Sequence, residues 1–74
     1  MPKLPVLSVD EVVKALKKAG FKIVRQSGSH IHLWNEDSRT LVTVPNHPEL
    51  KKGTLTSIIK QSKMDRDDFL ELVN

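Results

Sequence analysis

With 74 residues and no cysteine, the sequence predicts a single domain over residues 1–74, without disulfides or zinc–thiolate sites. Residues 1–64 carry eleven Lys/Arg against five Asp/Glu, whereas residues 65–74 carry one against four, so a basic body precedes an acidic tail. No apolar run approaches the roughly 20 residues that span a bilayer, and the start lacks the pattern of a signal peptide. We therefore expect a cytoplasmic protein without membrane contact, for which nucleic acid is a modestly favoured partner.

The first predicted element is an amphipathic helix. Ser8 and Glu11 have the spacing of a capping box, in which two side chains bond to backbone amides at a helix start. Gly20 suits the left-handed backbone that often ends a helix. Apolar residues recur at helical spacing between these two limits. They are Val9, Val12, Val13, Leu16 and Ala19.

Three short strands are predicted next. Segments 21–27, 30–34 and 39–44 are rich in β-branched and aromatic residues. Gly28-Ser29 and residues 35–38 supply the turns between them. Consecutive strands joined by such tight turns predict an antiparallel meander.

The middle strand, HIHLW, alternates between two faces. Ile31 and Leu33 share one face, and His30, His32 and Trp34 share the other. If the apolar pair faces the helices, the two histidines lie on an open face of the sheet, where a ligand can reach them.

Two further helices are predicted after the sheet. Thr54 is expected to cap the first of them, whose apolar stripe comprises Leu55, Ile58 and Ile59. Asp65 is expected to cap a last short helix that buries Phe69 and one of Leu72 or Val73. The predicted fold class is therefore α+β, in the order α-β-β-β-α plus a short C-terminal helix, with the helices on one face of a three-stranded antiparallel sheet.

His30 is the leading candidate for chemistry, because it directly follows the Gly28-Ser29 turn. Histidine exchanges protons near neutral pH, so His30 is a candidate general base toward a ribose 2′-hydroxyl. Gly28 would let the backbone approach a phosphate closely, and Ser29 offers a hydroxyl and an amide to its oxygens. The alternative is an ordinary surface histidine in a hairpin, and spacing alone favours neither.

The other aromatic side chains admit rival interpretations. His30 and His32 also have the spacing of metal ligands, with His47 as a third nitrogen. We expect neither metal nor cofactor, because the chain has no cysteine and His47 lies between two prolines in a loop of unknown position. Trp34 either stacks on a base or, as we favour, contacts a partner protein or a second subunit, which leaves a homodimer open.

Lys51 and Lys52 directly precede the second predicted helix. The amides at a helix N-terminus attract anions, and two lysines beside them suit an RNA phosphate. The alternative is ordinary solubilising charge, and the sequence does not separate the two.

The chain contains the two stretches VVKALKKAGFKIVRQSGSHIHLW and LVTVPNHPELKKGTLTSIIKQSKMDRDDFLELV. Through them it resembles the HicA family of toxins from Ser8 to Val73. The features that carry the resemblance are Gly20-Phe21, Arg25, Gly28-Ser29-His30, Pro45 with His47, and KKGTLTSIIKQS. The resemblance implies a double-stranded-RNA-binding-domain-like fold. It also implies an endoribonuclease of a stress-response toxin–antitoxin system, which cleaves single-stranded mRNA and is held inactive by a HicB-like antitoxin.

In that resemblance the family's catalytic histidine falls on His30, whereas His32 and Trp34 occupy variable positions. The implied mechanism is metal-independent attack of the 2′-hydroxyl on the adjacent phosphorus, with basic groups and amides stabilising the charge. The general acid is left open between His32, His47 and water. The rival functions are a non-catalytic RNA-binding module and a protein-interaction domain, neither of which requires a histidine at the turn.

Overall fold

The structure, a computed structural model, describes residues 6–73; residues 1–5 and 74 of the predicted domain lie outside the described residues. Its element order is α-β-β-β-α-α, which confirms the predicted α+β fold of the double-stranded-RNA-binding-domain type. In the described part, no helix is both long and apolar enough to cross a bilayer. The elements are α1 (Val9–Lys18), β1 (Lys22–Ser27), β2 (His30–Asn35), β3 (Thr40–Pro45), α2 (Lys52–Ser62) and α3 (Arg66–Val73).

The capping box at the start of α1 is formed as predicted. The amide of Glu11 donates to Oγ of Ser8 at 3.1 Å, and the amide of Ser8 donates to Oε1 of Glu11 at 3.0 Å. Gly20 follows the helix with a φ of 101°, the left-handed backbone expected there. A Cβ atom on Gly20 would also lie 3.2 Å from Nδ2 of Asn35, a tight contact that adds to the conformational preference for glycine.

The sheet has the order β1-β2-β3, and both neighbouring pairs are antiparallel. β2 and β3 pair in regular register from His30 opposite Pro45 to Asn35 opposite Thr40. The alternation predicted for β2 is confirmed, and β3 alternates in the same way, because the apolar side chains of one face are buried in the core with those of the helices. These sheet residues are Ile31, Leu33, Val42 and Val44.

Strand β1 contains an irregularity that the sequence analysis did not predict. Ile23 pairs with Leu33, but the next pair is Arg25 with His32, so Val24 is an extra, unpaired residue. Such a β-bulge moves every following side chain to the opposite face of the sheet. Arg25 therefore lies on the same face as His32 instead of on the core face.

Helix α2 begins earlier than predicted, and Thr54 is not its cap. The capping position is Lys51, whose side chain makes no capping bond and whose carbonyl accepts from the amide of Leu55 at 2.9 Å. A bridge between Leu7 and Leu50, both buried, holds the backbone just before Lys51. Because this long-range contact directs the chain into the helix at Lys52, Thr54 already lies inside the first turn.

Helix α3 packs against α1, and its Phe69 is fully buried, as predicted. Leu72 and Val73 are both partly buried against the same core. The Phe69 amide donates to the carbonyl of Asp65 at 3.0 Å, whereas the expected cap by the Asp65 side chain is not formed among the described residues.

Candidate active site

The open face of the sheet carries the residues singled out in the middle strand. His30 is exposed at the start of β2, and His32 and Trp34 are half-buried further along it. Residues directly opposite one another in an antiparallel pair share a face, so Thr43 of β3 flanks His32. Within residues 6–73, the His30 side chain has no hydrogen-bond partner, which leaves its imidazole accessible to a ligand.

The Gly28-Ser29 turn places His30 at the end of the β1–β2 hairpin. Gly28 has a φ of 57°, and a Cβ atom there would meet nothing within 4 Å, so the turn selects glycine for its backbone angle rather than for packing. The carbonyl of Ser29 accepts from the amide of Asn46 at 2.6 Å. This bond ties the loop that follows β3 to the turn, so that loop and turn border His30 together.

His32 is held by a chain of polar contacts that runs to α2. Nδ1 of His32 lies 3.1 Å from Oγ1 of Thr43. The amide of Thr43 donates to Oε1 of Gln61 at 3.0 Å, and Nε2 of Gln61 donates to Oγ of Ser57 at 3.4 Å. The bond to Thr43 occupies one ring nitrogen of His32 and leaves Nε2 as the nitrogen that can meet a ligand.

Arg25 is a residue of this site that its position in the sequence pattern did not indicate. The bulge at Val24 places it opposite His32, and the same shift places Ser27 opposite His30. A guanidinium on the face that carries the two histidines makes this face suited to a phosphate. The signal in the sequence is the imperfect alternation of residues 21–27, which does not specify where an extra residue is inserted.

A shallow groove of about 290 Å³ lies between β3 and α2. Thr43 and Pro45, the strand partners of His32 and His30, line one side of it. Gly53 and other residues of α2 line the opposite side, next to Lys51 and Lys52. No charged side chain of residues 6–73 lines the groove; His32 contacts its wall through Thr43, and Lys52 directly precedes Gly53 in the chain.

The start of α2 is suited to an anion. Lys51 and Lys52 are exposed there, and the first turn contains no acidic residue. No side chain caps the helix, so its first backbone amides remain available to a ligand.

Trp34 and Leu41 form a small apolar patch on the same face, further along the sheet from His30. They lie opposite each other, and Leu41 is 51% exposed. Nε1 of Trp34 donates to Oε2 of Glu36 at 2.6 Å, which orients the indole on the sheet surface. The geometry suits either a base or a protein partner, so the two interpretations of Trp34 stay open.

His47 is exposed in the loop after β3, beyond the strand partner of His30. Its own amide donates to the carbonyl of Pro45 at 2.9 Å. Among residues 6–73, no group of three or more His, Cys, Asp or Glu side chains is arranged to hold a metal ion.

A larger groove, of about 440 Å³, lies elsewhere, between α1 and β1. Ile23 and Gln26 line it, and both pair with core-facing residues of β2. It therefore opens on the side of the sheet that the helices cover, away from the histidines.

A known protein family matches the part of the chain that carries these site residues. A sequence model described as the HicA toxin of bacterial toxin–antitoxin systems matches residues 9–64. The match runs from the start of α1 to just past α2 and includes the Gly28-Ser29-His30 turn, whereas α3 lies beyond it. No curated protein matches the chain.

Proposed function

Because the chain belongs to the HicA toxin family of bacterial toxin–antitoxin systems, we propose that it is an endoribonuclease that cleaves single-stranded mRNA without a metal ion. The observation that carries the proposal is an exposed histidine, His30, beside a glycine turn on a face that also presents Arg25 and His32. The groove between β3 and α2, which reaches Gly53 next to Lys52 in the chain, is the path we propose for the flanking phosphates.

The chemistry follows from these groups. His30 accepts the proton of a ribose 2′-hydroxyl, and the oxygen attacks the adjacent phosphorus in line with the leaving 5′-oxygen. Arg25 and the backbone amides of the Gly28-Ser29 turn stabilise the charge that builds on the phosphate oxygens. The products are a 2′,3′-cyclic phosphate and a 5′-hydroxyl.

Cleavage of single-stranded RNA by the purified chain, with and without EDTA, tests the proposal. We expect cleavage in both conditions and a cyclic phosphate at the new 3′ end. Binding of the RNA without cleavage would identify a non-catalytic RNA-binding module instead. Cleavage that EDTA abolishes would contradict the metal-independent mechanism.

Lys51 and Lys52 are proposed to hold a phosphate at the start of α2. Replacing both by alanine is expected to weaken RNA binding and to flatten its dependence on salt, because fewer counterions are released. Removing two cationic side chains from the phosphate path should lower the steepness of log K against log[salt] by about 1.4 for single-stranded RNA. Lys14→Ala/Lys17→Ala on exposed α1 positions is the charge-matched control, and an equal change in slope in both variants would contradict a specific site.

Family membership implies an antitoxin partner, and we propose a HicB-like protein that covers the open face, including His30. The exposed Leu41 beside Trp34 gives such a partner an apolar contact, and the basic surroundings of the histidines favour an acidic cover. Covering this face would also exclude RNA from the groove.

Chemical modification of the histidines checks this mode of inhibition. In the complex, His30 is expected to be protected from diethylpyrocarbonate relative to the free protein, as measured by mass spectrometry of peptides. His47, also exposed, provides an internal reference for reagent activity. Equal labelling of His30 in the free and bound protein would mean that the antitoxin acts elsewhere.

A further inference from the structure

His30 and His32 form a pair rather than two independent histidines. They are two positions apart on one strand, so their Cα atoms are about 6.6 Å apart and their side chains share a face. An imidazole acts on an oxygen from about 3 Å, which allows two such rings to flank a single phosphate group. The two rings differ in setting, since His30 is exposed whereas His32 is half-buried and bonded.

We propose that His32 is the general acid that protonates the leaving 5′-oxygen, an inference that rests on the proposed ribonuclease function. The 2′-hydroxyl proton passes to His30 as the bond from the 2′-oxygen to phosphorus forms. As the bond from phosphorus to the 5′-oxygen breaks, Nε2 of His32 gives its proton to that oxygen. Exchange with water then restores both histidines, so no oxidant, metal or cofactor is required.

Thr43 is the positioning residue in this arrangement. Its hydroxyl engages Nδ1 of His32 at 3.1 Å, which restricts the ring and directs the other nitrogen to the exchangeable role. Thr43 is in turn fixed through its amide by Gln61 of α2. Because Thr43 of β3 restrains the His32 ring and Gln61 of α2 restrains Thr43, the proton donor can stay in line with a leaving group while RNA binds.

The surrounding charges are compatible with this role. Arg25 faces His32 from β1, and Thr43 faces it from β3, with no carboxylate paired to it in the register of residues 22–45. Arg25 gives a bound phosphate an opposite charge to pair with on this face, which would hold the phosphate beside His32. His47 has no comparable support, because its loop position shows no side-chain hydrogen bond among the described residues.

A sulfur-substituted substrate separates an acid from other roles. RNA with a single 5′-bridging phosphorothiolate releases a thiolate, which needs no protonation because thiols ionise at a pH of about 8.5. With ordinary RNA, His32→Ala is expected to lower the cleavage rate by about 100-fold or more. With the sulfur substrate most of that loss should disappear, whereas the loss caused by His30→Ala should persist. His32→Gln, which keeps a polar side chain but transfers no proton, should behave as His32→Ala does and covers the case of an unfolded alanine variant.

The other possible outcomes distinguish a wrong assignment of the general acid from a wrong proposed function. If the wild type cleaves ordinary RNA and His32→Ala matches it, or if sulfur does not restore the variant, the acid assignment is overturned while the ribonuclease proposal stands. Restoration of His47→Ala by sulfur, without restoration of the His32 variants, would assign the acid to His47. A wild type that cleaves neither substrate would remove the proposed function and this inference with it.

Thr43 variants test the positioning role. Thr43→Val should lose activity on ordinary RNA and regain it on the sulfur substrate, because only the delivery of the proton is impaired. Thr43→Ser, which keeps the hydroxyl, should stay close to the wild type on both. Equal activity of the valine and serine variants would show that the bond to His32 has no part in catalysis.

Discussion

His30→Ala is expected to leave the protein folded and to lower the rate of RNA cleavage by about 100-fold or more. The expected loss is large because the general base starts the reaction. Among the described residues, no other histidine lies at the start of β2, next to the Gly28-Ser29 turn. The stability change should stay within about 0.5 kcal/mol, since the His30 side chain is exposed and makes no hydrogen bond within residues 6–73. Cleavage kinetics and thermal melting of one preparation measure the rate and the stability.

His47→Ala is the matched control, because it removes an exposed imidazole from the loop tied to the same turn. We expect a much smaller loss of activity from it. A fully active His30→Ala variant would contradict the enzymatic role of the Gly28-Ser29-His30 turn. An unfolded one would show that the histidine is structural.

Phe69→Ala is expected to destabilise the protein by about 3–5 kcal/mol, the usual cost of deleting a fully buried phenyl ring. In a domain of this size, the free energy of unfolding is rarely more than about 3–5 kcal/mol, so the variant should be largely unfolded near room temperature. Circular dichroism during heating measures the effect. Phe69 lies in α3, outside the residues that match the family, so the result also shows whether this helix is integral to the fold.

Glu71→Ala on the same helix is the control for this prediction. Its side chain is exposed, so the change in stability should stay within about 0.5 kcal/mol. If Phe69→Ala melted within a few degrees of the wild type, α3 would be an appendage and the core would consist of α1, α2 and the sheet.

Several features could be predicted because their causes lie within a few residues of one another. The capping box of Ser8 and Glu11 involves residues three apart, and the turn at Gly28 depends on a single backbone angle. The alternation of β2 likewise follows from strand geometry alone. For this reason the face that carries His30 and His32 was predictable, although spacing alone did not decide between a catalytic and an ordinary surface role for His30.

The start of α2 was not predictable in the same way. The sequence offers Thr54 as a good capping residue, and local preference favours it over Lys51. The bridge between Leu7 and Leu50 overrides that preference, because burying both side chains stabilises the chain more than one capping bond does. The consequence reaches the site, since Lys51 and Lys52 then belong to the helix start instead of preceding it.

The sequence by itself determined the order of the elements, the turn and the histidine face, since each depends on periodicity or on hydrogen bonds between near neighbours. Only the tertiary structure decided that Arg25 joins that face, because a bulge at Val24 is specified by how β1 pairs with β2 and not by either strand alone. It also decided that Thr43 holds His32 and is itself fixed by Gln61. Such contacts join residues far apart in the chain, and their distances follow from the packing of α2 beside β3 rather than from any local pattern.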